Sequence, residues 1–594
     1  MTILVRSWER LRATAIRHPV LATFVLALIV MSPAIVAVGS NLVGTWYPTG
    51  DVSHTELLLR GIPRHPPLVG VAARVGNDIN DQGYTPGPSM AYLMFPVYLL
   101  LGRSSTGMLV SNLVLHFSAV WASIFFVRRW AGWGAGFVLS LGIAIMARSL
   151  APRFFLEPWN VWIPVFAFMF FMVLAWGVSI GHSRALPLMC VVGTHCLQTH
   201  ISYVPLVGAV VVVSLVTVFL GDQVRRRPMI TRSVVLMAFM WLPPIVEQLR
   251  PGSGNLRRLW EHFTDPPSDT VGWTASAKAM SGEFNLLGPW VSGPGHAPYD
   301  APNVLGVMLF VVLVGMGVWA GSRDRSIRRS QTVLAGTTLV GFIATGRIFG
   351  NFYDYLIRWM WVLAALWAVV SVVALCARSS SLRRAFTIVG TVALVGCAVW
   401  GSASSVGAHP PYANDSRLVG GLAPELMDAL PDNGTRRLLR WHDPAALGGT
   451  AFGLVLEMEK RGVELGVDPW GGAAARPYRV LTEDHADSVL WLIVGPENIA
   501  KFSGRPDAIP IASFDPRSPA EREESDRLRV EIERAMNEVG HPEWITLLDS
   551  QYGHMQILLF TPISDELFEM VARYSEIRLP GAVFAVPIGA PLFP

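Results

Sequence analysis

The sequence predicts a polytopic α-helical membrane protein, with about 11 transmembrane helices and a C-terminal extracytoplasmic α/β domain. Three observations carry that reading. The 594 residues are 52% hydrophobic and only 15% charged, whereas a soluble domain carries roughly 25% charged residues. Apolar runs of membrane-spanning length recur up to about residue 402. Beyond about Ser404 charged residues become common, and strand-like runs alternate with amphipathic helical ones. The 21 tryptophans fit aromatic belts at two bilayer interfaces.

Taken in order, the chain begins with Arg6, Arg10, Arg12 and Arg17 ahead of an apolar run from Val20 to Val38. The run is too long for a signal-peptide core and lacks a cleavage site, so it reads as an uncleaved first span with a cytoplasmic N-terminus. Further spans are expected near 107–127, 132–150, 160–180, 185–200, 202–220, 230–247, 302–320, 331–349, 355–376 and 385–402. The segment 89–102 is short enough to lie on the surface, and charge decides its placement. If it does not cross, the loops holding Arg128–Arg129, His182 and Arg184, Arg225–Arg227, Arg323 to Arg329 and Arg378 to Arg384 are all cytoplasmic. The whole of 45–105 is then one external loop ending in an interfacial helix, PGPSMAYLMFPVYLLL. The same alternation puts Arg148–Asn160, the surroundings of His200, Arg250–Ala301, Arg347–Asp354 and the tail on the outer face of a plasma membrane. The expected domains are 1–404, with a long first outer loop at 40–105, and an outer domain at 405–594.

Within the outer domain, RRLLRW (436–441), VELGV, SVLWLIVG (488–495) and MQILLF read as strands. AFGLVLEMEKR and PAEREESDRLRVEIERAMNEV read as helices. The loop at Gly448–Gly449 lacks the GxGxxG spacing of a dinucleotide site. Cys190, Cys196, Cys376 and Cys397 lie in or beside apolar runs without zinc spacing, and the outer domain has no cysteine, so no disulfide framework is indicated. The small net charge of +4 says little before it is mapped onto loops, and no nucleic-acid partner is expected.

Polar residues concentrate on the outer face. Asp51, in PTGDVSH, sits a dozen residues past the first span, at the membrane boundary. A carboxylate there can act as a general base towards a hydroxyl, or cap the helix that HTELLLR suggests. Glu157, in ARSLAPRFFLEPWN, can assist such a base, share a divalent ion with Asp51, or cap its own helix. Two carboxylates without a clear ligand set leave the metal open, and no cofactor is required. Arg347, Tyr353, Tyr355 and Arg358 stand together in TGRIFGNFYDYLIRW, where guanidinium groups suit either a phosphate or the anchoring of helix ends. His195 and His200, in THCLQTHISY, are spaced by five and do not share a helix face as metal ligands, so cavity lining is the better reading. His54 and His65 are further polar candidates in the first loop.

A first span followed by a long outer loop with an early Asp, then HPPL, an interfacial helix rich in Pro and Tyr, and a second span ending in RRW, resembles the GT-C superfamily; the motifs GDVSH, HPPLVG…R.G…PGPS.AYL, LEPWN..IP and PPIVEQL..GSGN also look like those of a large set of bacterial membrane proteins. That superfamily comprises multispan glycosyltransferases using polyprenyl-phosphate sugars. It includes protein O-mannosyltransferases, the aminoarabinose transferase of lipid A and actinobacterial arabinofuranosyltransferases. The resemblance covers the membrane part and implies a polyprenyl-phosphate-linked donor and a cell-envelope glycan or glycolipid acceptor, in cell-wall biogenesis. It further implies that the first-loop catalytic acid falls on Asp51 and a second-loop acid on Glu157; a polyprenyl-phosphate leaving group would then be met by the Arg347, Tyr353 and Arg358 cluster. Where many members pair two acids in the first loop, this chain has Asp51 followed by His54 and Glu56. An Ala/Arg/Gly/Val-rich composition suits an actinobacterium. Two rival readings stand beside this one: a lipid or solute transporter or flippase, and a catalytically silent scaffold of the same fold. A transporter calls for a midplane polar path and repeated halves, and neither is visible.

Overall fold

A computed structural model describes residues 17–73, 75–76, 82–219, 223–252, 254–293, 304–430 and 434–590. The chain divides into two compact units. The first comprises Met1–Val43, Pro67–Gly70 and Tyr84–His409; the second comprises Gly44–Pro66, Val71–Gly83 and Pro410–Pro594. Most of the segment 45–105 thus belongs with the C-terminal residues and not with the helices that flank it.

The first unit is a helical bundle. Each apolar run of the sequence forms helix, because a backbone that leaves water must satisfy its hydrogen bonds within the segment. The first run is two helices, Pro19–Val30 and Ser32–Ser40, bent by 61°. The runs at 107–127 and 132–150 form one segment, Ser105–Leu156, interrupted where Gly132 (φ 85°) and Ala151 (φ 62°) leave helical geometry. Side-chain caps start several helices: Ser104 accepts from Gly107 N, Asp324 from Ser326 N and Ile327 N, and Ser379 from Leu382 N. Among the described residues five helices are long and apolar enough to cross a membrane, or six if the bent pair is one span. The protein is a multi-pass membrane protein. The core is dominated by Pro164–Ser179, nearly all of it buried, and by the first half of Trp359–Arg378. PGPSMAYLMFPVYLLL contains the helix Ser89–Leu100.

The bundle has two chemically distinct ends. Trp159 meets Tyr355 edge-on at 4.9 Å, so the start of Pro164–Ser179 lies beside the start of Trp359–Arg378. At the other end of the same helices Trp176 Nε1 donates to Ser326 O at 3.2 Å. Helix Arg325–Gly346 runs from the second end back to Arg347 at the first. Its 22 residues separate the ends by ~33 Å.

The second unit is α/β, with a five-stranded sheet. Its strands are β1 (Arg437–His442), β2 (Leu465–Val467), β3 (Ser488–Val494), β4 (Ile509–Phe514) and β5 (Gly581–Val586). The order is β2-β1-β3-β5-β4, with β1 parallel to both β2 and β3 and β5 antiparallel to β3 and β4. Helices Gly449–Lys460 and Pro519–Glu538 form where their periodicity predicts, the latter with a capping box between Ser518 and Glu521. One expectation is corrected. MQILLF is not a strand but part of helix Gly553–Phe560. A short apolar run does not distinguish the two by itself, and the sheet position beside β3 is filled by β5. Strands β4 and β5 are not among the sequence expectations. Leu57 of the outer-loop helix Gly50–Gly61 joins the core formed by Leu418, Leu422 and Val455, which explains why that helix belongs to this unit.

Candidate active site

At the first end of the bundle, Glu157 is 3% exposed and terminates the long segment that begins at Ser105. Its carboxylate accepts from Arg153 Nε at 3.2 Å and from Trp162 Nε1 at 3.0 Å. Trp162 packs on Trp159, Trp159 on Tyr355, and Tyr355 stacks on Tyr353 at 5.2 Å. An aromatic chain therefore joins the 157–162 segment to the 347–358 turn. Arg347, at the C-cap of its helix, is exposed and has no ion pair among the described residues. Tyr353 Oη accepts from Asn351 Nδ2 at 3.3 Å.

Arg358 behaves differently. It is 1% exposed, donates to Glu283 Oε1 at 3.2 Å and to Asp354, and lies over the Trp361 ring at 5.5 Å. Glu283 is fully buried and also accepts from Trp361 Nε1. Sequence reasoning missed Glu283; its signal is a lone acid in the otherwise mild stretch SGEFN. Two carboxylates neutralise Arg358 in this structure, whereas Arg347 keeps an open guanidinium.

Other sequence motifs converge on one scaffold in the same unit. Ser89 Oγ lies 3.1 Å from His195 Nδ1, and Gly87 N donates to Gln198 O at 3.3 Å. PGPS is thereby pinned against THCLQTH. His195 is also 3.4 Å from Thr199 Oγ1, and His200 Nδ1 is 2.8 Å from Ser202 Oγ. Both histidines are buried and used in local hydrogen bonds. Asn255, with no exposed surface, pairs with both backbone groups of Tyr84 at 2.7 and 3.1 Å. Glu247 accepts from Gly254 N and Asn255 N, which fixes the GSGN turn. The Gly in PGPS is dictated by this packing, since a Cβ on Gly87 would fall 2.4 Å from Gln198 Cδ. Gly87→Ala is expected to lower stability by about 1–3 kcal/mol, as overpacking does, measured as the midpoint of thermal unfolding in detergent.

Asp51, His54 and His65 belong to the second unit. Thr49 is the N-cap residue of Gly50–Gly61, so Asp51 is not a cap but sits in the first turn. Its side chain is 58% exposed, and Oδ1 is 3.4 Å from His54 Nδ1. His54 packs edge-on against Phe452 at 4.6 Å. The helix is clamped to Gly449–Lys460 by ion pairs: Lys460 Nζ lies 2.9 Å from the buried Glu56, and Arg60 Nε 3.2 Å from Glu459. Burial alone would raise the Glu459 carboxyl, but Arg479 and Arg60 outweigh it and hold its pKa below the usual value. Two glycines let the helices approach. A Cβ on Gly449 would lie 3.4 Å from Gly50 N, and one on Gly453 2.9 Å from Pro48 O. His65 is exposed and stacks on Tyr478 at 3.9 Å. Asp78 and Asp81, two further acids of the segment 45–105, lie outside the described residues. No group of three metal-ligating side chains occurs among the described residues.

Neither a protein-family model nor a curated protein matches the sequence. Solved structures do. ArnT from Cupriavidus metallidurans bound to undecaprenyl phosphate superposes with a TM-score of 0.53 at 12% identity, covering 82% of this chain and 95% of that one. Its apo state gives 0.50 at 12% identity, covering 83% and 96%. The apo Archaeoglobus fulgidus oligosaccharyltransferase gives 0.44 at 11% identity, covering 80% and 70%. An apolar helical bundle with a small C-terminal mixed sheet, matching ArnT over nearly its whole length, gives this chain the fold of ArnT.

Proposed function

We propose that the protein is a membrane glycosyltransferase that transfers a sugar from a polyprenyl-phosphate donor to an extracytoplasmic cell-envelope glycan or glycolipid. The observation that carries this reading is the fold shared with ArnT, a protein whose structure holds undecaprenyl phosphate. Asp51 takes the proton from the acceptor hydroxyl as its oxygen attacks the anomeric carbon; the bond from that carbon to the phosphate breaks, and polyprenyl phosphate leaves. A half-exposed carboxylate at the start of a clamped helix supports that role. Arg347 and Tyr353 neutralise and orient the departing phosphate, Arg347 because its guanidinium is exposed and outside any ion pair among the described residues. Glu157 assists from its hydrogen-bonded seat. Arg358 contributes by ordering the turn that presents Tyr353. The N-terminus is cytoplasmic and the α/β unit extracytoplasmic, as the distribution of arginines asks.

The test is transfer by the purified protein from a panel of decaprenyl-phosphate pentoses and hexoses to cell-envelope glycan fragments. Transfer from at least one donor is expected, and none from any would argue for the scaffold reading. With an active donor in hand, Arg347→Ala is expected to raise the donor KM by about tenfold, the weight of one charge-assisted hydrogen bond, without changing the unfolding midpoint. The clamp makes its own prediction. Gly453→Val pushes a side chain into Pro48 and is expected to lower transfer by about 10²-fold, as a misplacement of ~1 Å does. A folded Gly453→Val protein with full activity would show that this packing does not position Asp51.

A further inference from the structure

Helix Asn255–Thr264, NLRRLWEHFT, is tied down at both of its ends. Its first turn follows the candidate span Arg227–Gln248. Glu247 accepts from Gly254 N and Asn255 N, and Gln248 Oε1 from Leu256 N at 3.0 Å and Arg257 N at 3.2 Å. These are the backbone donors that the start of a helix leaves without partners, so two side chains at the end of the span seat the helix there. At the far end His262 and Phe263 pack against Phe349 at 5.0 and 5.6 Å, and just beyond it Val271 N donates to Ile348 O at 2.7 Å. The helix has 10 residues and a length of ~15 Å. It therefore lies across the Arg347 end of the bundle, between the ends of Arg227–Gln248 and Arg325–Gly346.

Its sides differ in chemistry. Leu259, Phe263, Leu256 and Trp260 fall within one arc of ~100° around the helix axis. Leu259 is buried, whereas Trp260 is 71% and Phe263 46% exposed. Arg257 and Glu261 occupy the far side, exposed and ion-paired with each other at 3.6 Å. Trp273, which opens the next helix (Gly272–Glu283) with Gly272, is also exposed and covers Gly346, where a Cβ would fall 2.7 Å from its Cε3. The span itself carries an exposed apolar strip of Phe239, Leu242 and Ile245, continued by Leu249, at spacings of three and four. In a multi-pass membrane protein that strip faces lipid, and it leads to the point where Gln248 seats the helix. Exposed indole and phenyl rings next to such a surface suit the lipid head-group region, which accommodates both an apolar ring and a polar N–H.

We propose that helix Asn255–Thr264 is an anchor in the lipid–water interface at the Arg347 end of the bundle. Trp260 and Phe263 lie among phospholipid head groups and the tops of acyl chains, and Arg257 and Glu261 face water. Its partner is the bilayer surface. Because Phe263 packs on Phe349, the anchor also fixes the depth of the turn that carries Arg347. The value of that depth for a donor phosphate rests on the role proposed for Arg347 above; the anchoring itself does not.

The experiment places a dansyl amino acid, by stop-codon suppression, in place of Trp260 or of Glu261 in the full-length protein in phosphatidylcholine nanodiscs. Its quenching by a phosphatidylcholine bearing a nitroxide near the top of the acyl chain is compared with quenching by aqueous iodide. The nitroxide lipid is expected to quench the probe at Trp260 about threefold more than the probe at Glu261, because the apolar face of an interfacial helix lies ~5–10 Å inside the head-group boundary. Iodide is expected to rank the two positions in the reverse order. Equal quenching by the lipid at both positions, or iodide reaching the Trp260 position as readily as that of Glu261, would overturn the proposal. So would a probe at Trp260 that neither quencher reaches, which would mean that another part of the chain or a partner protein covers the helix. Both side chains are exposed, so neither replacement disturbs the core. No sugar donor is added, so failure of the transferase reading would leave this result standing.

Discussion

Asp51→Asn is expected to lower sugar transfer by about 10²–10⁴-fold, the usual contribution of a general base, while the protein stays folded. The two halves of that statement have separate causes. Asparagine keeps the shape of the side chain but accepts no proton at working pH, so the acceptor hydroxyl must attack while still protonated. Stability should hardly move, because the side chain is 58% exposed and its contact with His54 is long, at 3.4 Å. Surface changes of this kind fall within about ±0.5 kcal/mol. Nor does the helix lose its cap, since Thr49 occupies that position. Transfer by the purified variant, read beside its unfolding midpoint, gives both numbers. Full transfer in Asp51→Asn would remove Asp51 from the mechanism; loss of transfer together with a collapsed midpoint would make it a structural residue.

The membrane part was legible from the sequence because its signal is local: a run of apolar residues long enough to span forms helix whatever its neighbours are. In the α/β unit, β1, β3 and helix Gly449–Lys460 were equally readable. Two features were not. MQILLF has no periodicity that separates helix from strand. The strands β4 and β5 are ambiguous alone and become strands by pairing with each other and with β3. The same limit applies to the candidate site. The motif around Asp51 was visible, but its neighbours were not: Phe452, Gly453 and Lys460 stand some 400 positions away. The turn around Arg358 was visible as a cluster of Arg and Tyr, yet its partner Glu283 is 75 residues distant. A sequence shows which residues carry charge; pairing decides which of those charges remain available to a ligand.

That distinction sets the second large effect. Glu283→Ala is expected to destabilise the bundle by about 3–5 kcal/mol, the cost of leaving one member of a buried ion pair without its partner. Arg358 is 1% exposed and would lose one of its two carboxylates, while Trp361 Nε1 would lose its acceptor. Arg358→Ala should cost a similar amount by removing the guanidinium that balances the buried Glu283 charge, and Arg358→Lys should not restore it, because an ammonium does not reproduce the forked guanidinium between two carboxylates. The double substitution Glu283→Gln/Arg358→Met removes both charges and should recover much of the loss, since replacing a buried pair by neutral groups is often close to neutral. Midpoints from heating in detergent followed by fluorescence-detected size exclusion measure all four proteins. The same set decides what Arg358 is for. If it bound the donor phosphate directly, Arg358→Ala would leave the midpoint in place and raise the donor KM, and the double variant would be no better than the single. A large midpoint loss in each single variant, with recovery in the double, assigns Arg358 to ordering the turn and leaves the phosphate to Arg347.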